Sequence, residues 1–120
     1  MAKNLDVVLL TDFYGEMLTD NQRKFLDYYY NDDLSLSEIA ENEGISRQGV
    51  RDAVKRAEAQ LFDMEKKLGI AARSKRLKES FSEILECVDE INDYNMNIAL
   101  SREVNDAIVR IKSVILSLED

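Results

Sequence analysis

Ten residues, Arg47 to Arg56, gather four bases against the single acid Asp52, with Gln48 among them. These are the side chains that read nucleic acid: arginine can fork onto guanine O6 and N7, glutamine onto adenine N6 and N7, and a carboxylate accepts from the cytosine amino group. At 100° per residue Gln48, Asp52 and Lys55 share the side of a helix that faces away from its apolar residues. Arg51 and Arg56 flank them, Arg47 falls in the first turn, and Ser46 is a helix N-cap by type. Ser46, Arg47, Gln48, Arg51, Asp52, Lys55 and Arg56 are therefore the candidate DNA-binding residues.

A second basic run follows. Lys66, Lys67, Arg73, Lys75, Arg76 and Lys78 place six bases in thirteen residues with no acid among them. Such a run can meet the phosphates of DNA or RNA, engage an acidic partner, or be only a solvated helix start. Glu79, Glu83, Glu86, Asp89, Glu90 and Asp93 make the next stretch as acidic as the run is basic, so the two can also pair between subunits. The chain as a whole has 24 acids against 16 bases, a net charge of −8. This excludes the strongly basic footprint of a general nucleic-acid binder, and any DNA contact must be local.

Other chemistries find no residues to carry them. The chain has no histidine, and its single cysteine, Cys87, stands beside Ile84 and Val88 and is expected in the core rather than as a nucleophile. Asp32-Asp33 and Glu41-Asn42-Glu43 lack calcium-loop or zinc spacing, and there is no Gly-rich phosphate loop. A binding protein with no cofactor and no metal is expected, not an enzyme. One cysteine cannot make an internal disulfide, and Met-Ala-Lys-Asn leads into no long apolar run. Neither export nor a membrane span is expected, and the cytoplasm is.

The elements that must position the basic face are helices. No proline and only four glycines occur in 120 residues, which favours long uninterrupted helices, about five to six of them, with no sheet. Ser35 and Glu38 form a capping box that opens a short helix with Leu36, Ile39 and Ala40 on one face. Gly44 supplies the positive φ of a tight turn, Ile45 is expected to plug the angle between helices, and Ser46 caps the next one. Val50, Val54, Ala57, Leu61, Met64 and Leu68 keep one side of that helix at spacings of four and three, so it runs to about Lys67. This is a helix-turn-helix, whose second helix lies in a major groove. Upstream, Leu5, Val8, Leu9, Asp12 and Phe13, with Asp12 the one polar interruption, predict a buried stripe on a helix from Leu5 to Met17. A Thr19–Gln22 capping box opens a helix to about Asn31 that buries Phe25, Leu26 and Tyr29. Tyr28 and Tyr30 flank that face with wet hydroxyls, a better reading of the triple tyrosine than a base-stacking platform.

Leu18-Thr19 with Gln22-Arg23, Leu34-Ser35-Leu36 with Glu38-Ile39-Ala40, Gly44-Ile45-Ser46-Arg47 with Val50-Arg51, and Lys55-Arg56-Ala57 with Leu61 together resemble region 4 of bacterial sigma factors. That region reads the −35 promoter element. The likeness covers roughly residues 18 to 62, and the remainder departs from sigma factors. Asp52 in the exposed face, and Glu58-Ala59-Gln60 where the family often carries further bases, both reduce phosphate attraction. With the opening Leu9-Leu10-Thr11-Asp12-Phe13-Tyr14-Gly15 and the charged tail, the chain is more similar to the YlxM family of small bacterial proteins. The resemblance implies a regulator of DNA encoded near signal recognition particle genes, with double-stranded DNA as partner. The alternative is an accessory factor that binds RNA or signal recognition particle components through residues 66–78.

After Gly69, a C-cap by type, Leu77, Phe81, Ile84, Val88 and Ile91 predict a helix over about Ala72 to Asn92. A polar break at Asn92 to Asn97 precedes a last helix carrying Val104, Ile108, Ile111, Ile115 and Leu118. Two heptads each suit an antiparallel hairpin. The expected organisation is thus an all-α fold: a helix-turn-helix part over residues 1–68 and a C-terminal packing and dimerisation segment over residues 69–120, together one compact domain that forms a homodimer.

Overall fold

The computed structural model describes residues 3–119, which form six α-helices and no strand. The chain divides into two compact units, Met1–Ala72 and Arg73–Asp120.

In the first unit α1 (Asp6–Tyr14) passes through a 3-10 turn at Gly15–Met17 into α2 (Asp20–Leu26), which loosens into a π turn at Asp27–Asn31. The helix-turn-helix is α3 (Leu36–Glu43) and α4 (Arg47–Leu68). Each helix begins where its side chains can satisfy the first free N–H groups. Thr19 Oγ1 accepts from Gln22 N–H at 3.2 Å, and Ser35 Oγ from Glu38 N–H at 3.1 Å. Gln22 and Glu38 each reach back to the capping residue's own N–H, which completes both boxes. All three preceding helices pack on α4, whose Val50, Val54, Ala57 and Leu61 are fully buried.

Four expectations change here. On α1 the buried residues are Val7, Leu10 and Tyr14, while Leu5, Leu9 and Phe13 are exposed. The helix is apolar nearly all round, so periodicity alone left two faces open, and the Tyr14 hydroxyl decides between them by finding polar partners at the end of α4. Ile45 does not plug the interhelical angle: it is 44% exposed. The tight turn closes through backbone instead, with Gly44 at φ 67° and the Gly44 and Ile45 N–H groups both donating to Ala40 O. Leu68, one turn past the last core layer, is also exposed. Tyr28 and Tyr30 are half-buried, and their hydroxyls are engaged by Glu43 and Glu58 rather than by water alone.

Where α4 ends, Gly69 takes φ 63° and the chain turns at once into α5 (Ile70–Tyr94). Glu65 makes that junction. It accepts from Tyr14 Oη at 2.6 Å and from the N–H groups of Ala71 and Ala72 at 3.0 Å each. Tyr14 Oη in turn accepts from Ile70 N–H at 3.1 Å, so three free N–H groups at the start of α5 are paired by residues of α1 and α4.

The second unit is a helical hairpin, in which α5 ends in a π turn at Asn95–Ala99 before α6 (Arg102–Glu119). The polar break is its lock. Asn95 is buried, donating to Ser101 O at 3.0 Å and accepting from Ser101 N–H at 2.8 Å, while Leu100 takes φ 51°. Lys112 and Asp89 bridge the two helices at 3.1 Å. Only part of the expected stripes is covered: Val88, Ile108 and Ile115 are buried, whereas Leu77, Ile84, Ile91, Ile111 and Leu118 are exposed. Cys87, expected in the core, is exposed as well, because the covered seam runs through Leu85 and Val88 on the other flank of α5.

Candidate nucleic-acid interface

Ser46 fixes the start of α4. Its side chain accepts from Gly49 N–H at 3.0 Å with the residue itself in extended backbone, the geometry of an N-cap. Gly49 is small for a reason: a Cβ there would stand 3.1 Å from Ser46 Oγ. With Val50 and Val54 wholly buried beneath it, the first two turns of α4 are held rigidly and can rotate neither way without exposing core.

This anchoring leaves Arg47, Gln48, Arg51, Asp52, Lys55 and Arg56 all exposed. Arg47, Gln48 and Arg51 line one recess together with Leu36 from the start of α3. Thus the first turn of α3 and the first turns of α4 present a single surface, which brings together the N-terminal half of the sequence-derived set. Lys55 and Arg56 continue along α4 and do not line that recess. Lys3, which no spacing pointed to, lies beside it in a neighbouring depression with Asp33, its ion-pair partner, and with Ser35, Glu38 and Arg47.

One contact within the face changes its chemistry. Gln48 Nε2 donates to Asp52 Oδ1 at 2.9 Å, an i, i+4 pair on the solvent side. Asp52 occupies one amide proton of Gln48, which leaves the carboxamide oxygen and the second amide proton facing solvent beside the arginines.

The second basic run is divided between the two units. Lys66 and Lys67 belong to the last turn of α4 in the first unit, and Lys67 pairs with Asp63 at 2.9 Å. Arg73, Lys75, Arg76 and Lys78 belong to the second unit, all exposed, and helical geometry spreads these four round the axis of α5. Among the described residues no group of three or more His, Cys, Asp or Glu is placed to hold a metal ion, and no helix is long and apolar enough to cross a membrane.

Comparison with known proteins agrees with this architecture. Residues 1–101 match the family described as "Putative helix-turn-helix protein, YlxM / p13 like", UPF0122. A UPF0122 protein of Acetivibrio thermocellus is 40% identical over 117 residues, 98% of this chain and 100% of its own length. One from Caldanaerobacter subterraneus is 48% identical over 84 residues, 70% of this chain and 72% of its own. Another, from Halalkalibacterium halodurans, is 44% identical over 90 residues, 75% of this chain and 83% of its own. With the helix-turn-helix in place and the match running through α1 to α5, this chain belongs to the UPF0122, YlxM/p13-like family of helix-turn-helix proteins.

Proposed function

We propose that this protein is a DNA-binding regulator that lays the first turns of α4 in a major groove, with Arg47, Gln48 and Arg51 meeting base edges and Lys55 and Arg56 meeting phosphates. The observation that carries the reading is the recess shared by Leu36, Arg47, Gln48 and Arg51 at the N-terminal ends of both helices of the motif. Recognition helices of this motif contact bases with their N-terminal residues, while the first helix crosses the backbone. Four bases against one acid give a modest pull, so binding at physiological salt depends on base contacts more than on bulk charge. The regulated step, on the family resemblance, is expression connected with the signal recognition particle pathway in the cytoplasm.

A second reading rests on the exposed bases of α5. In it the protein is an accessory factor for RNA or a signal recognition particle component, held through Arg73, Lys75 and Lys78. Fluorescence anisotropy on a labelled duplex and on a labelled structured RNA separates the two. Under the groove reading Arg47→Ala with Arg51→Ala weakens duplex binding by about one to two orders of magnitude, since each bidentate base contact contributes ~1–3 kcal/mol. Arg73→Glu, Lys75→Glu and Lys78→Glu then change it little. The opposite ranking, with RNA bound more tightly than duplex, overturns the groove reading in favour of the accessory one.

A further inference from the structure

The hairpin carries two apolar lines on α5, and α6 covers one of them. Leu85 and Val88 face the inside, while Leu77, Ile84 and Ile91, each seven residues from the next, stay 45%, 44% and 51% exposed. A seven-residue repeat is the signature of a seam that continues against another helix. On α6 the line of Ile111, Val114 and Leu118 is exposed in the same way. Phe81 and Ile84 of α5 and Ile111, Val114, Ile115 and Leu118 of α6 line one open groove, with Arg110 as its one charged wall. Soluble proteins seldom leave so continuous an apolar face in water.

We propose that this groove is the interface with a second copy of the same chain, packed antiparallel about a two-fold axis near Ile84 to make a four-helix bundle. The charge order along α5 selects this occupant. Arg73, Lys75, Arg76 and Lys78 precede Ile84 with only Glu79 and Glu83 against them, whereas Glu86, Asp89, Glu90 and Asp93 follow it with no base among them. An antiparallel copy sets Leu77 level with Ile91 and lays each basic end over an acidic end, whereas a parallel copy opposes like charges along the whole helix. Helical geometry puts Arg76 and Glu90 on the flank of this line that faces away from α6, within a turn of meeting across the two-fold. A polyanion is a poor occupant, because the groove is apolar apart from Arg110 and the half of α5 after Ile84 carries four acids and no base. Glu83, on the same flank, meets its own symmetry mate near the axis, and Glu79 falls level with Asp89, so like charges approach at these points. The inference concerns the hairpin alone, so it stands or falls independently of the groove reading of α4.

Sedimentation equilibrium across a concentration series tests it on the full chain. The wild type is expected as a dimer, and Ile84→Glu and Val114→Glu as monomers whose helical circular dichroism is unchanged, since both positions are exposed within one chain. Arg76→Glu alone weakens the dimer about five- to tenfold, because an exposed ion pair counts twice across a two-fold. Arg76→Glu combined with Glu90→Arg restores it. A monomeric wild type, a dimer indifferent to Ile84→Glu and Val114→Glu, or a charge swap that fails to restore what Arg76→Glu removes each overturn the proposal.

Discussion

The two units of this chain treat the same kind of residue in opposite ways. In the first, every core-facing position of α4 from Val50 to Leu61 is sealed, and the helix starts and the α4–α5 junction are satisfied by named side chains. In the second, a hairpin of equally apolar helices seals Val88, Ile108 and Ile115 and leaves Leu77, Ile84, Ile91, Val114 and Leu118 in water. Three helices around a fourth can enclose a core, but two helices side by side can cover only the strip between them. The first unit therefore holds a surface still, and the second leaves an apolar strip uncovered, the strip on which we propose that a second copy packs.

Core substitutions expose the contrast most sharply. Ile39→Ala and Leu61→Ala, at sites with no exposure, are expected to cost about 2–5 kcal/mol in urea unfolding. Ile84→Ala in the monomer should cost much less, roughly under 1 kcal/mol, since little transfer from water is lost at a half-exposed site. Equal losses at the two kinds of site would erase the distinction between the units.

A smaller effect belongs to the cap of the recognition helix. Ser46→Ala removes the acceptor for Gly49 N–H and is expected to lower stability by about 1 kcal/mol, with Ser46→Asp recovering most of it. Ile45→Ala should cost less than a buried isoleucine would, which separates a turn closed by backbone from one closed by a hydrophobic plug.

The α4–α5 junction adds a pH dependence. The Tyr14 hydroxyl, helped by the N–H groups of Ala71 and Ala72, holds the Glu65 carboxyl below the usual carboxylate range. A depressed carboxyl contributes stability that is complete above its unfolded value near 4.5 and fades as pH falls through the lower folded one. Glu65→Gln should therefore flatten the acid limb of a stability profile below that pH and leave its alkaline limb alone. At the other end, burial and the hydrogen bond to Glu58 push the Tyr30 hydroxyl up to about 12. Tyr30→Phe should remove a tyrosinate absorbance that appears at about pH 12 in an alkaline titration.

Much of the first unit was legible because its signals are local. The Ser35–Glu38 box, Gly44 and Ser46 each find their partner within four residues along the chain, and all three signals took the conformations their types imply. What escaped is what distant residues decide. The face of α1 is set by Tyr14 meeting Glu65, fifty-one residues away, which no periodicity can register. Ile45 is apolar and stands at the turn, yet the backbone closes the turn without it. On the hairpin the repeat was plain, but which half of a wide stripe faces α6 depends on the register that Asn95 imposes by clasping Ser101. On the basic face, every candidate on α4 was recognisable by type, whereas the pairing of Gln48 with Asp52 appeared only once the helix was built.

The salt dependence of duplex binding tests most directly the claim that α4 reads DNA. Measured by anisotropy from low to physiological salt, the logarithm of the association constant should fall linearly with that of salt, and Lys55→Ala and Arg56→Ala should each lower the slope by about one. Asp52→Asn should raise non-specific affinity by removing the one negative charge on the face. An association constant and a salt slope that none of these substitutions moves would contradict the account and take α4 out of the groove.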